Sequence, residues 1–277
     1  MAMLTVGKEN SADIQINYED RGSGKPVVLI HGWPLSGASW ERQSAMLLSA
    51  GYRVITYDRR GFGRSSGPST GYDYNTMTAD LAKLVDTLGL TDAALVGFSM
   101  GGGEVARYMG KYAGKGVSKC AFISAITPAL RKDGNNPDGA PPAIFEDMKH
   151  KIEADRFSFL AGFFEAFYNK KLIGGTHISA EAITASWNVA AASSYQAMLN
   201  CIDAWLEDFR DDMKSIKVPT LVVHGDSDQI VPFEVSGKRV TQFVPHAKLH
   251  LVKGGPHGIN WTHATELNKA LLEFLRG

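Results

Sequence analysis

Apolar positions along the chain follow two rhythms that take turns. Ile14, Ile16 and Tyr18 alternate with polar neighbours, the spacing of a strand with one buried face. Pro26–Ile30, Arg53–Tyr57 and Ala93–Gly97 are short runs with little or no alternation, and Val117–Ile123, Thr220–His224 and Leu249–Val252 continue the series. Such runs suit strands of a parallel sheet, where crossover helices cover both faces. Helical spacing fills the gaps: Met77, Leu81, Leu84, Val85 and Leu88 share one helix face, and Leu267, Ala270, Leu271 and Phe274 share another. Alternating strand and helix predicts an α/β sheet.

The rhythm stops between about Pro128 and Ile216. That stretch has no clear buried strand, yet it is dense in aromatics, among them Phe145, Phe157, Phe159, Phe163, Phe164, Phe167, Tyr168, Trp187 and Trp205. It opens on Asp133-Gly134-Asn135-Asn136-Pro137-Asp138-Gly139, which is loop chemistry. The pattern predicts a helical insertion over the sheet. Most of its rings would pack the insertion against the body, and a minority would line a pocket.

Composition narrows the class of function. The 277 residues carry 29 Lys+Arg and 29 Asp+Glu, a formal net charge of zero. A general nucleic-acid binder would need a basic excess for its phosphate contacts, and no polybasic patch suggests a membrane surface. The N-terminus reaches Gly7, Lys8 and Glu9 too early for a signal peptide's apolar core, and no apolar run approaches the ~20 residues that cross a bilayer. Cys120 and Cys201 form no CxxC pair and no disulfide framework. Together these predict a soluble cytoplasmic protein with no nucleic-acid or membrane partner.

The strongest chemical signal is Gly97-Phe98-Ser99-Met100-Gly101, between the Ala93–Val96 strand and the helically spaced Val105, Ala106 and Met109. A G-x-S-x-G pentapeptide at a strand–turn–helix junction is a nucleophile elbow: the sharp turn lifts the serine hydroxyl clear of the sheet, and glycines keep side chains out of crowded backbone. A lone serine hydroxyl is a weak nucleophile and needs a base. Elbow serines of this type are followed in chain order by an acid and then a histidine. His257, in Gly254-Gly255-Pro256-His257-Gly258, lies on a loop after the Leu249–Val252 strand and has small neighbours on both sides. His246, His250 and His263 fall in a turn, a strand and a helix start, which suits packing or surface roles. Of the two acids after Thr220–His224, Asp228 is the candidate that orients His257, while Asp226 suits hydrogen bonds to its own turn's amides.

A tetrahedral oxyanion needs two N–H donors. One should come from Met100, the residue after the nucleophile, and the other from the loop His31-Gly32-Trp33-Pro34-Leu35. Trp33 is the candidate there, because Pro34 has no N–H and restricts the residue before it. His31 reads as a brace for the loop. Gly22-Ser23-Gly24-Lys25 is a decoy, since Glu19 stands where a phosphate-binding loop needs its first glycine.

His31-Gly32-Trp33-Pro34, Asp58-Arg59-Arg60-Gly61-Phe62-Gly63-Arg64-Ser65, Gly97-Phe98-Ser99-Met100-Gly101, Asp226-Ser227-Asp228 and Gly255-Pro256-His257-Gly258 together resemble the α/β-hydrolase superfamily. Within it the chain is similar, nearly end to end, to the cofactor-free bacterial haloperoxidases (non-heme chloroperoxidases and bromoperoxidases) and their aryl-esterase and γ-lactamase relatives. Asn135-Asn136-Pro137-Asp138-Gly139 matches that subgroup too. Gly101-Gly102-Gly103 and Trp33 lean toward the aryl esterases, and Pro34 leans toward the haloperoxidases.

The resemblance implies a mostly parallel eight-stranded sheet flanked by helices. It implies a core of residues 1–127 and 217–277, with a cap over 128–216 inserted before the strand preceding the acid. It carries over Ser99, Asp228 and His257 as catalytic residues and Trp33 and Met100 as oxyanion-hole donors, with no cofactor and no metal. The implied activity is hydrolysis of small carboxylic (aryl) esters through an acyl-enzyme. A perhydrolase side activity would use a short carboxylic acid and peroxide to make peracids that oxidise halide. Lactam or amide cleavage on the same residues, or a small-molecule receptor without turnover, are the alternatives. The resemblance also leaves room for a homo-oligomer.

Overall fold

The computed structural model describes residues 2–170 and 178–277. Eight strands form one sheet in the order β1-β2-β4-β3-β5-β6-β7-β8. They are β1 (Ala2–Glu9), β2 (Ala12–Arg21), β3 (Pro26–Ile30), β4 (Arg53–Tyr57), β5 (Ala93–Phe98), β6 (Val117–Ile123), β7 (Thr220–Gly225) and β8 (Lys248–Val252). β2 pairs antiparallel with β1 and β4, and every pair from β4 through β8 is parallel. β5 sits near the middle and is buried along its whole length, as is β7. This is the α/β-hydrolase fold.

Two strands depart from the hydrophobic pattern. β1 was not marked by it: the strand is half-buried at the sheet edge, and a register shift between Thr5 and Gly7 breaks its alternation. The apolar run predicts β8 to be buried on both faces, yet it is the opposite edge, with Leu249 and Leu251 42% and 43% exposed. Leu249 and Leu251 share one face of this outermost strand, and that face is only partly covered, so apolar content alone overstates its burial.

Helices cover both faces. α1 (Glu41–Ser49), α2 (Tyr74–Thr87) and α3 (Met100–Lys111) connect the central strands. α2 starts on Asp73, whose side chain accepts the Thr76 amide, and it buries Met77, Leu81, Leu84 and Val85 as the spacing predicted. The C-terminal helix Ala264–Arg276 buries Leu267, Leu271 and Phe274.

Between β6 and β7 lie α4 (Pro142–Phe167) and shorter helices at Ala180–Ala191, Tyr195–Ala204 and Arg210–Lys214. α4 is broken at Asp155, whose backbone is non-helical and whose Oδ1 accepts the amides of Phe157 and Ser158, starting the helix afresh. Among the described residues, no helix is long and apolar enough to cross a membrane.

Candidate active site

The loops after β3, β5, β7 and β8 open at the carboxyl ends of parallel strands, where open α/β sheets place their sites. Ser99 links β5 to α3 with φ +53° and ψ −119°, a strained conformation for any residue with a Cβ. Backbone bonds hold it: Ser99 N–H donates to Ile123 O at 2.8 Å, and Ser99 O accepts Gly102 N–H at 3.0 Å. The side chain therefore leaves the sheet where the helix begins.

The β3 loop lies directly against this turn. A Cβ at Gly32 would stand 2.9 Å from the Ser99 Cβ, and one at Gly101 would stand 2.3 Å from Ile30 O. Both contacts are closer than any side chain allows, so the glycines let the loop and the elbow touch. Trp33 and Met100, the residues beside these contacts, are buried.

A second link locks the same two segments together. The Arg59 side chain donates to Glu104 Oε1 on α3 at 2.6 Å and to His31 O at 2.8 Å. Glu104 also accepts the Tyr57 hydroxyl at 2.6 Å. Burial is the largest single influence and works against the Arg59 charge, but Glu104, together with Tyr57, Cys201 and Tyr74, holds the guanidinium pKa above its ordinary value. His31 accepts the Arg59 amide on Nε2 at 2.9 Å, so its Nδ1–H donates to Gly32 O at 2.8 Å. It braces the loop from within.

His257 is fully buried, with Nε2 2.9 Å from Ser99 Oγ and Nδ1 2.7 Å from Asp228 Oδ2. Its ring lies 5.1 Å from the Phe98 ring and 4.9 Å from that of Phe167. Gly258 N–H donates to Phe167 O, tying this loop to the end of α4. Asp228 divides its carboxylate: Oδ1 accepts the amides of Ile230 and Val231 at 2.9 and 2.8 Å, and Oδ2 faces the imidazole. Burial pushes its pKa up, but the neighbouring His257, with hydrogen bonds from His224 and His257, holds it well below the usual carboxylate range.

Asp226 behaves differently from the expectation that it serves its own turn. Its Oδ1 accepts Gly254 N–H at 2.7 Å, and Ser227 N–H donates to Gly255 O, so the acid loop and the His257 loop are stitched together. The other three candidate histidines lie elsewhere. His250 pairs with Glu266, His246 reaches Val218 O, and His263 meets the Thr262 hydroxyl.

Aromatic rings from the 128–216 stretch converge on the β3 loop. The Trp33 ring lies 4.9 Å from Trp205, 5.2 Å from Phe163 and 6.3 Å from Phe159, all edge-on. Ser99 is only 6% exposed. Phe157 instead faces out, 45% exposed beside Trp187. The buried polar pairs beside the site that apolar patterning does not reveal are Arg59–Glu104 and His224–Asp228. Both are buried and polar, a combination hydrophobic periodicity does not mark.

Comparison with known proteins agrees with this architecture. A model of the alpha/beta hydrolase fold matches residues 25–264. The crystal structure of a bromoperoxidase from Bacillus anthracis superposes with a TM-score of 0.96 at 49% identity, over 100% of this chain and 99% of that one. A non-heme chloroperoxidase of Kitasatospora aureofaciens is 40% identical over 95% of this chain and 96% of its own length. A bifunctional esterase/perhydrolase of Acinetobacter calcoaceticus is 38% identical over 95% and 96%. With the matched model spanning most of its length, the chain belongs to the alpha/beta hydrolase fold family.

Proposed function

We propose that the chain is a serine esterase for small carboxylic, including aryl, esters, with a perhydrolase side activity. The observation that carries this reading is the unbroken line from Ser99 Oγ through His257 to Asp228, with contacts of 2.9 and 2.7 Å. Ser99 Oγ attacks the acyl carbonyl as its proton passes to His257 Nε2. The backbone N–H groups of Trp33 and Met100 hold the oxyanion, and Asp228 stabilises the imidazolium. Collapse expels the alcohol, which takes the proton back from His257. Water then enters by the same route and releases the acid.

Hydrogen peroxide in place of water gives the acid's peracid and free Ser99. That peracid oxidises bromide or chloride in solution to hypohalous acid and returns to the carboxylic acid. The likeness to an esterase/perhydrolase and to non-heme haloperoxidases supports this second outcome. Residues 128–216 act as the cap over the residues 1–127 and 217–277 core. Phe159, Phe163 and Trp205 limit the room beside Trp33 to small acyl groups.

The test is multiple-turnover hydrolysis of p-nitrophenyl acetate by wild type and Ser99→Ala. A parallel reaction contains acetate, bromide, peroxide and a halogenation dye. Ester turnover and dye bromination both lost in the variant support the proposal. Turnover indifferent to Ser99 overturns it.

A further inference from the structure

Asp228 has a second histidine partner besides His257. His224, near the end of β7, is completely buried, with Nε2 2.8 Å from Val231 O and 3.3 Å from Asp228 Oδ2. A carbonyl and an ionised carboxylate only accept, so the ring's hydrogen is on Nε2, with Val231 O the nearer acceptor and Asp228 Oδ2 the longer contact. Nδ1 on the opposite side is buried without a hydrogen-bond partner. Gly237 backs it so closely that a Cβ there would stand 2.5 Å from Nδ1, and the Phe233 ring lies 5.7 Å away. The ring is wedged in place, and its polar engagement is all on the Asp228 side.

The contacts close a loop. Val231 N–H donates to Asp228 Oδ1, while Val231 O accepts from the ring that also faces Asp228 Oδ2. Backbone amides pin only Oδ1, so the rotation of the carboxylate about that point is set by the groups that face Oδ2, which are His257 and His224. We propose that His224 is a positioning residue: its Nε2–H holds the Asp228 carboxylate in the rotation that aims Oδ2 at His257 Nδ1. The inference rests on the reading of Asp228 as the acid that orients the base.

The experiment measures kcat and KM on p-nitrophenyl acetate for His224→Phe, which keeps a ring but loses the donor, and His224→Gln, which keeps a side-chain N–H. Each is made in wild type and in Asp228→Asn. In wild type, His224→Phe should lower kcat roughly 10-fold with KM within about two-fold, and His224→Gln should recover most of the loss. In Asp228→Asn, His224→Phe should cost less than about two-fold, because a residue acting through the carboxylate has nothing left to position. Wild-type kcat in His224→Phe, or the same loss in both backgrounds, overturns the inference. If His224→Phe fails to fold, His224→Asn against His224→Leu repeats the comparison at matched size. Full activity in Asp228→Asn instead overturns the reading of Asp228, whatever His224 does.

Discussion

Arg59 and Glu104 form an ion pair with almost no solvent exposure, and the pair joins the β3 loop to the helix that starts at Ser99. Two segments that come from different strands are thereby fixed as one body. A hydrolase that stabilises an oxyanion with one amide from each segment depends on that fixity, because the donors must already be in place when the charge develops.

Glu104→Gln keeps the shape of the side chain and leaves the Arg59 guanidinium buried without its counter-charge. Loss of one partner of a buried pair costs about 3–5 kcal/mol, read in thermal denaturation as a fall on the order of 10 °C. Replacing both residues, as in Arg59→Met/Glu104→Leu, should recover much of the stability without recovering kcat, since His31 O is no longer held. A double variant that regains both would show that the pair serves stability alone.

Gly101→Ala tests the contact between elbow and loop. The added Cβ would meet Ile30 O at 2.3 Å and His31 O at 2.9 Å, and both are backbone atoms that cannot turn aside. The β3 loop must move away from α3. Ester turnover should fall by about 100-fold or more, the scale of losing one oxyanion donor, and the melting temperature should fall with it. Wild-type turnover in this variant would show that the two segments tolerate separation.

The two acids after β7 should separate sharply. Asp228→Asn removes the charge that faces Nδ1 and allows the wrong tautomer, an effect on the order of 10⁴ in kcat in a serine protease of unrelated fold with the same three residue types. Asp226 is exposed and accepts one loop amide, so Asp226→Asn should stay within about ten-fold. Initial rates on p-nitrophenyl acetate decide it, and the reverse order would move the acid to Asp226. Since the Asp228 carboxyl is held below the usual range, it stays ionised across pH 5 to 8.

What the sequence made legible follows physical lines. Ser99 stood out because an elbow needs glycines at fixed offsets and a strand before it. His257 stood out because small residues isolate it on a loop. Asp228 was separable from Asp226 by its offset from the strand, though the structure alone reveals that Asp226 spans to Gly254. His224 was hidden inside an apolar strand, and Arg59 and Glu104 were hidden because charged residues read as solvated. Their burial depends on partners 28 or more residues away, or on a turn closing back on its own strand. Periodicity carries no information about such closures. β8 departs in the opposite sense: Leu249 and Leu251 look like core, and only the structure shows that they lie half-exposed on an edge strand.

His31 sets a pH dependence of stability that is separate from activity. The ring is completely buried, accepts the Arg59 amide and donates to Gly32 O. Burial first, and then the Arg59 charge, hold its pKa well below the ordinary imidazole value. The folded chain thus keeps the ring neutral where an unfolded chain takes up a proton, below about pH 6.5. In that interval the unfolded state binds more protons, so stability rises with pH. The contribution is complete above about pH 6.5 and is lost as the pH falls toward the native value, at up to about 1.4 kcal/mol per pH unit. Urea denaturation of wild type between pH 7.5 and 5 should show this decline. His31→Gln should be less stable at pH 7.5 yet decline more shallowly by about one proton's slope, and an unchanged slope would assign the acid sensitivity to other groups.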